Sequence, residues 1–241
     1  MNTSDATNEL FSWQAAARVT ITGAQPATFL QGYLTNDMDA LAEGDVARAA
    51  LCNLKGRVVA NGWVYRAADA ICWIVHQTLA TRAVEVLTPY ARFSRCSVTV
   101  DDSPVVVTAA AGLGPLVEGW YLADPGDLSG PVDLPAADAD LMRALIAAPY
   151  AWVSAATSDM FLPQMLGLEQ AGAIDFHKGC YLGQEVVARA QFRGAVKRKL
   201  VTTQWQGSPP EAGAKVADQG VVIAVATSAE NSAQGPMLTV M

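Results

Sequence analysis

The sequence predicts an α+β protein: two αβ units in tandem, followed by a small all-β tail. Three patterns carry this reading. Short stretches of period-2 hydrophobicity recur along the chain, amphipathic stretches at helical spacing separate some of them, and Gly- and Pro-containing turns punctuate both. At 241 residues with 51% hydrophobic and 16% charged side chains, the chain can bury a sizeable core and is neither disordered nor fibrous in composition.

Residues 18–100 give the order β-α-β-β-β-α-β. Arg18 to Thr22 alternates as a strand, Gly23 follows, and Pro26 suits the first turn of a helix running through Phe29 and Leu30. Strands at Val46 to Asn53 and Val58 to Arg66 are joined through Leu54-Lys55-Gly56-Arg57, where Gly56 supplies the positive φ of a tight turn. A strand at Ala70 to Val75 precedes a helix within Leu79 to Phe93, in which Ala83, Val86, Leu87 and Tyr90 share a face. Cys96 to Val100 alternates again. From Pro104 the pattern partly repeats: strands at Pro104 to Ala109 and Gly119 to Ala123, a loop over Pro125 to Pro131, and a helix from Asp138 to Ala147. Beyond Leu200 short Val-rich strands suit a β-unit too small to fold alone. The expected divisions are therefore 1–103, 104–199 and 200–241.

No apolar run approaches the roughly 20 residues of a bilayer span, and the polar start lacks signal-peptide features, so a cytoplasmic protein is expected. Cys52, Cys72, Cys96 and Cys180 stand singly, without the paired spacing of a zinc or iron–sulfur site. No metal bound by this chain alone is expected. The first three cysteines fall in strand patterns and should be buried.

The formal charge is −7, yet residues 178–199 hold six basic residues against Glu185 alone, a local +5 that leaves −12 for the rest. Lys197, Arg198 and Lys199 form its densest cluster and are candidates for attracting a polyanion, the competing reading being one solvated face. Within this region Gly183 should end a loop, and Gln184 to Phe192 should form a helix with a Glu185–Arg189 pair and a stop at Gly194. Cys180 then lies in a loop just before a helix N-terminus, two residues from Lys178, where positive charge can favour the thiolate. A small buried hydrophobe is the alternative for Cys180. His177 reads as a loop histidine satisfied locally rather than as a base or ligand.

Lys178-Gly179-Cys180-Tyr181-Leu182-Gly183-Gln184-Glu185 resembles the KGCYxGQE signature of the YgfZ family. Its flanks agree: Leu162-Pro163-Gln164 before it, and Ala188-Arg189, Gly194 and Lys197-Arg198 after it. Phe29 to Asp37, with Lys55-Gly56-Arg57, is similar to the same family's N-terminal pattern. The resemblance implies a T-protein (GcvT)-like fold of two ferredoxin-like αβ subdomains around a central cavity, with a reduced C-terminal β-barrel. It implies a tetrahydrofolate-binding accessory protein supporting iron–sulfur enzymes, including tRNA-thiolating ones, with Cys180 as the functional thiol; Lys178, from its charge two residues away, is the second catalytic candidate. The folate would meet Asn36, Asp37, Gln164 and Tyr181. Tryptophans that contact folate in some members have no counterpart here. The competing functions are a tetrahydrofolate-dependent one-carbon transferase using Asn36 or Asp37, and an RNA-binding adaptor. Thr35-Asn36-Asp37 can equally be a helix-terminal turn.

Overall fold

A computed structural model describes residues 9–110, 112–124, 133–194, 196–226 and 234–241. The expected loop over 125–131 lies outside these residues. Thirteen strands and four α-helices are described, and the strands form three antiparallel sheets.

The largest sheet has five strands in the order β3(Val46–Cys52), β4(Val58–Ala67), β5(Ala70–His76), β2(Ala16–Gly23), β6(Cys96–Asp101). With α1(Pro26–Gln31) and α2(Ala80–Ala91) inserted, it reproduces the expected β-α-β-β-β-α-β order. Pro26 occupies the first turn of α1, where its missing N–H costs nothing. The α2 helix turns Ala80, Ala83, Leu87 and Ala91 inward; the three alanines let it pack on β2 and β6 while Leu87 fills the core. Residues Val58 to Tyr65 of β4 are all buried because both faces of this strand are covered. Gly62 is required there, since a Cβ would sit 1.8 Å from the Ile74 carbonyl oxygen. Trp63 and Trp73 are fully buried, the kind of side chain whose truncation to Ala costs about 3–5 kcal/mol.

The second sheet runs β1(Leu10–Ser12), β7(Val106–Thr108), β9(Trp120–Leu122), β8(Gly114–Val117), and α3(Asp138–Ala147) packs near its β8 edge. The expected boundary at 103/104 is therefore crossed: β1 pairs with β7 almost 100 residues later, Leu10 facing Thr108. Such a pairing leaves no trace in local periodicity. Two further departures concern short strands: β8 was not expected, and the strands at 104–109 and 119–123 are three residues each. Residues 200–241 form the third sheet, β10(Leu200–Gln206), β13(Gln234–Val240), β12(Gly220–Val225), β11(Lys215–Val216).

One hydrophobic core runs through all three sheets. It joins Val19 and Trp73 of the first, Val107 and Leu116 of the second, and Ile223 and Leu238 of the third. Trp205, Val222 and Met237 form a separate small cluster on the other side of the C-terminal sheet.

Candidate functional site

The chain between α3 and α4(Gln184–Phe192) has little regular structure, and side chains fix it to the first sheet. Asn61 is fully buried in β4; its Nδ2 donates to Ala151 O (2.8 Å) and Tyr150 Oη (3.1 Å), and its Oδ1 accepts from Val153 N. Val58 N donates to Phe161 O at 2.9 Å. Thr35, also fully buried, donates to Ala173 O and accepts from Ala50 N. These bonds bring the two sequence blocks, residues 29–37 and 178–185, into contact.

Lys178 completes that contact. Its Nζ donates to the carbonyls of Gln31 (2.8 Å), Leu34 (2.8 Å) and Asn36 (2.7 Å), and lies 5.5 Å from the centre of the Tyr181 ring. Burial lowers its pKa to about 8, against the opposing pull of Asp37, Asp175 and Asp39. Three carbonyls take the three donors of this ammonium, so Lys178 has no N–H left to donate to the Cys180 sulfur. Leu182 N donates to Gly32 O at 3.0 Å, tying the next residues of the loop to the same place.

Cys180 and Gly179 are exposed, and so is His177, whose backbone N–H donates to the Asp175 carboxylate. Gly183, at φ +80°, starts α4 as expected; a Cβ on it would meet Asn53 O at 2.4 Å. Glu185 and Arg189 pair at 2.7 Å on the exposed face of α4. The Gln184 side chain is half-buried. Cys52 is fully buried and its thiol is pushed up to about 12. Cys72 is buried too, but Cys96 is only half-buried, its thiol 3.5 Å from Ser94 O, because the β6 edge leaves one side open.

A cavity of about 590 Å³ opens where β3, the segment 163–171, α4 and the start of β10 meet. Arg48, Gln164, Glu169, Gln170, Gln191 and Lys199 supply its polar lining. Gln164 Nε2 donates to Val187 O (2.8 Å), while its Oε1 is buried with no hydrogen-bond partner among the described residues. Glu169 accepts from Gln191 Nε2 at 2.6 Å. Arg48 donates to Ala171 O (3.0 Å) and Leu116 O (2.9 Å), and its guanidinium lies 5.0 Å from the Tyr150 ring centre.

Of the expected folate contacts, only Gln164 lines this cavity. Asn36 Nδ2 is bonded to Arg48 O and Gly172 O and its Oδ1 to Asp37 N, so it braces the neighbouring wall. Asp37 Oδ1 accepts from Gln31 Nε2, Asp39 N and Ala40 N. Burial raises the Asp37 carboxyl, but these bonds and the Lys178 charge outweigh it and hold it below the usual range. Within the Thr35-Asn36-Asp37 stretch, Asp37 Oδ1 is thus engaged locally, while Thr35 and Asn36 tie the turn to β3 and to residues 172–173. Tyr181 is buried with its Oη unpartnered among the described residues, and burial, with the Cys52 thiol nearby, pushes its phenol up. Sequence reasoning missed Arg48 and Glu169. The signal for Arg48 was present: a lone arginine within the apolar run Val46 to Cys52.

Among the described residues no three His, Cys, Asp or Glu side chains come together to hold a metal ion, and no helix is long and apolar enough to cross a membrane. No family model matches the chain. It is similar in structure to the glycine cleavage system aminomethyltransferase T from Bartonella henselae, with a TM-score of 0.63 at 14% identity over 95% of this chain and 76% of that one. The T-protein-like fold expected from sequence is therefore present. The tRNA-modifying protein YgfZ from Escherichia coli K12 is 32% identical over 82% of this chain and 72% of its own length, and the Shigella flexneri protein of the same name matches equally. Identity at that level over that share of both chains, with both motif blocks in place, makes this chain a member of the YgfZ family.

Proposed function

We propose that the protein is a tetrahydrofolate-binding accessory factor in tRNA modification, supporting the iron–sulfur enzymes of that process, with the exposed Cys180 as its functional thiol. The observation that carries the folate reading is the cavity with its unsatisfied acceptor. A reduced folate brings ring N–H and amino donors at one end and glutamate carboxylates at the other. Gln164 Oε1 and the Glu169 carboxylate offer acceptors for the first, and Lys199 a cation for the second. The volume falls in the range of small-molecule sites, roughly 300–1,000 Å³. The tRNA-modification reading rests on the names of the relatives, and the thiol reading on the exposure of Cys180 next to the loop that Lys178 anchors.

Bound in this cavity, the folate would be a carrier of one-carbon groups. The protein's own groups would orient it: Gln164 and Glu169 fix the ring, and Lys199 attracts the tail. The transferase alternative gains no support from Asn36, whose amide is held by Arg48 O and Gly172 O, or from Asp37, whose Oδ1 accepts from the turn that follows it.

Calorimetric titration with tetrahydrofolate tests the reading. Gln164→Leu and Glu169→Gln are each expected to weaken binding about 2- to 10-fold, the range of one lost hydrogen bond. Titrations that show no binding to the native protein, or binding untouched by both substitutions, would rule this cavity out as the folate site.

A further inference from the structure

A second cleft, of about 420 Å³, opens beside the larger cavity and shares Ala190, Gly194 and Val196 with it, yet its chemistry differs. Leu162 and Met165 give it apolar surface, and Arg57, Lys197 and Arg198 give it three cations. Among the described residues no carboxylate and no aromatic ring lines it. Arg57 is held in place by a bond from its Nη1 to Met160 O, while Lys197 and Arg198 are exposed and enter no ion pair among the described residues. The stretch that carries them is fixed at its end, where Lys199 N donates to Met241 O and Met241 N to Lys199 O, at 2.9 and 3.1 Å. Lys199 itself lines the larger cavity. Consecutive residues thus present cations to both clefts, and three positive charges gathered on a protein of net charge −7 mark the place where it attracts an anion.

We infer that the second cleft takes the γ-linked polyglutamate tail of a folate whose ring occupies the larger cavity, so that the protein selects polyglutamylated over monoglutamylated folate. The inference rests on the folate reading of that cavity and names the form of folate it takes. Each γ-linked glutamate added to the tail brings one further carboxylate and one further pair of methylenes. The cations of the second cleft answer the carboxylates, and Leu162 and Met165 answer the methylenes. Because the two clefts share part of their lining, a tail that leaves the larger cavity past Lys199 meets Lys197 and Arg198 next. Charge complementarity alone admits an RNA strand as well. A strand held without sequence preference stacks its bases on aromatic side chains, and this cleft has none among the described residues. The tail is also tethered: with the ring bound, its carboxylates stay beside these cations at a high effective concentration, which those of a free strand do not.

The test compares calorimetric titrations with tetrahydrofolate carrying one, two, four or six γ-linked glutamates, at low and at physiological salt. Affinity is expected to rise about 2- to 5-fold with each added glutamate, the range of a solvent-accessible ion pair. The rise should level off after three additions, one per cation, and shrink as salt increases. Lys197→Gln combined with Arg198→Gln should leave the binding of the monoglutamate as it is in the native protein and remove most of the gain from the longer tails. Both residues are exposed and neither lines the larger cavity, so the double substitution spares the fold and the ring site. Lys215→Gln, on the β11 edge of the third sheet away from β10, should change neither affinity. Equal affinity for the monoglutamate and the tetraglutamate, or a gain untouched by the double substitution, overturns the inference and leaves the folate cavity standing. A single-stranded RNA of about 12 nucleotides that lowers the tetraglutamate affinity to that of the monoglutamate assigns the cleft to RNA and overturns it as well. Native protein that binds none of the four folates removes the cavity reading, and this one with it.

Discussion

The carbonyls of Gln31, Leu34 and Asn36 point at one place, and the Lys178 ammonium fills it. Lys178→Met would leave three buried or half-buried acceptors without their donor. At roughly 1 kcal/mol each, the loss is about 3 kcal/mol, readable as a shift in the urea midpoint. The same variant reports the charge state. In the unfolded chain lysine keeps its proton up to its ordinary 10.5, whereas the folded protein releases it near 8, so between these values the unfolded state binds more protons and this group's contribution to stability rises with pH. The gap between native protein and variant should therefore widen from pH 7.5 to 9.5. A narrowing gap would show the three carbonyls holding the proton more firmly than burial loosens it. Cys180 makes the opposite case. It is exposed, so Cys180→Ala should leave stability within about 0.5 kcal/mol of native. A maleimide should label it under native conditions while Cys52 and Cys72 react only on unfolding.

The motif's two glycines differ at the level of the elements they join. Gly183 holds φ +80° and its α-carbon faces the β3–β4 hairpin, where a Cβ would strike Asn53 O; Gly179 has a negative φ and open space around it. Gly183→Ala must therefore push α4 away from the hairpin, at a cost of about 2 kcal/mol or more, whereas Gly179→Ala should be nearly neutral in thermal unfolding. A loss of function in Gly179→Ala at normal stability would point to a partner approaching the loop closely. The glycine logic was legible because it is local, and so were α3 and α4, whose spans show in helical spacing within ten residues, Gly183 immediately preceding α4. The second sheet was legible only in part: β7 and β9 fall within the strands expected at 104–109 and 119–123, whereas β8 was not expected and β1 acquires its meaning only from a partner that the chain brings in much later.

For the whole molecule, the same distinction separates the loop from the cavity. The Lys178 to Glu185 run is contiguous and could be read directly, whereas Arg48, the Gln164 and Glu169 pair of the 163–171 segment, and Lys199 come from three separate places that converge only in the fold. Arg48 holds that convergence together. It leaves β3 of the first sheet, donates to Leu116 O of the second and to Ala171 O of the segment ahead of α4, and covers Tyr150. Two consequences follow for Arg48→Met, which keeps the side-chain length and removes the donors. Two backbone carbonyls lose charge-assisted bonds, so stability should fall by about 2–4 kcal/mol. Because one core threads all three sheets, that loss should not stay local. Hydrogen exchange followed by mass spectrometry across a urea series would show β4 and β5, β7 and β9, and β12 and β13 losing protection together, at a lower midpoint than native and with an unchanged slope. Protection lost first in the second sheet and the 163–171 segment, with β12 and β13 holding to the native midpoint, would mean that the sheets are separable units joined by Arg48, and that the continuity of the core does not bind them into one cooperative transition.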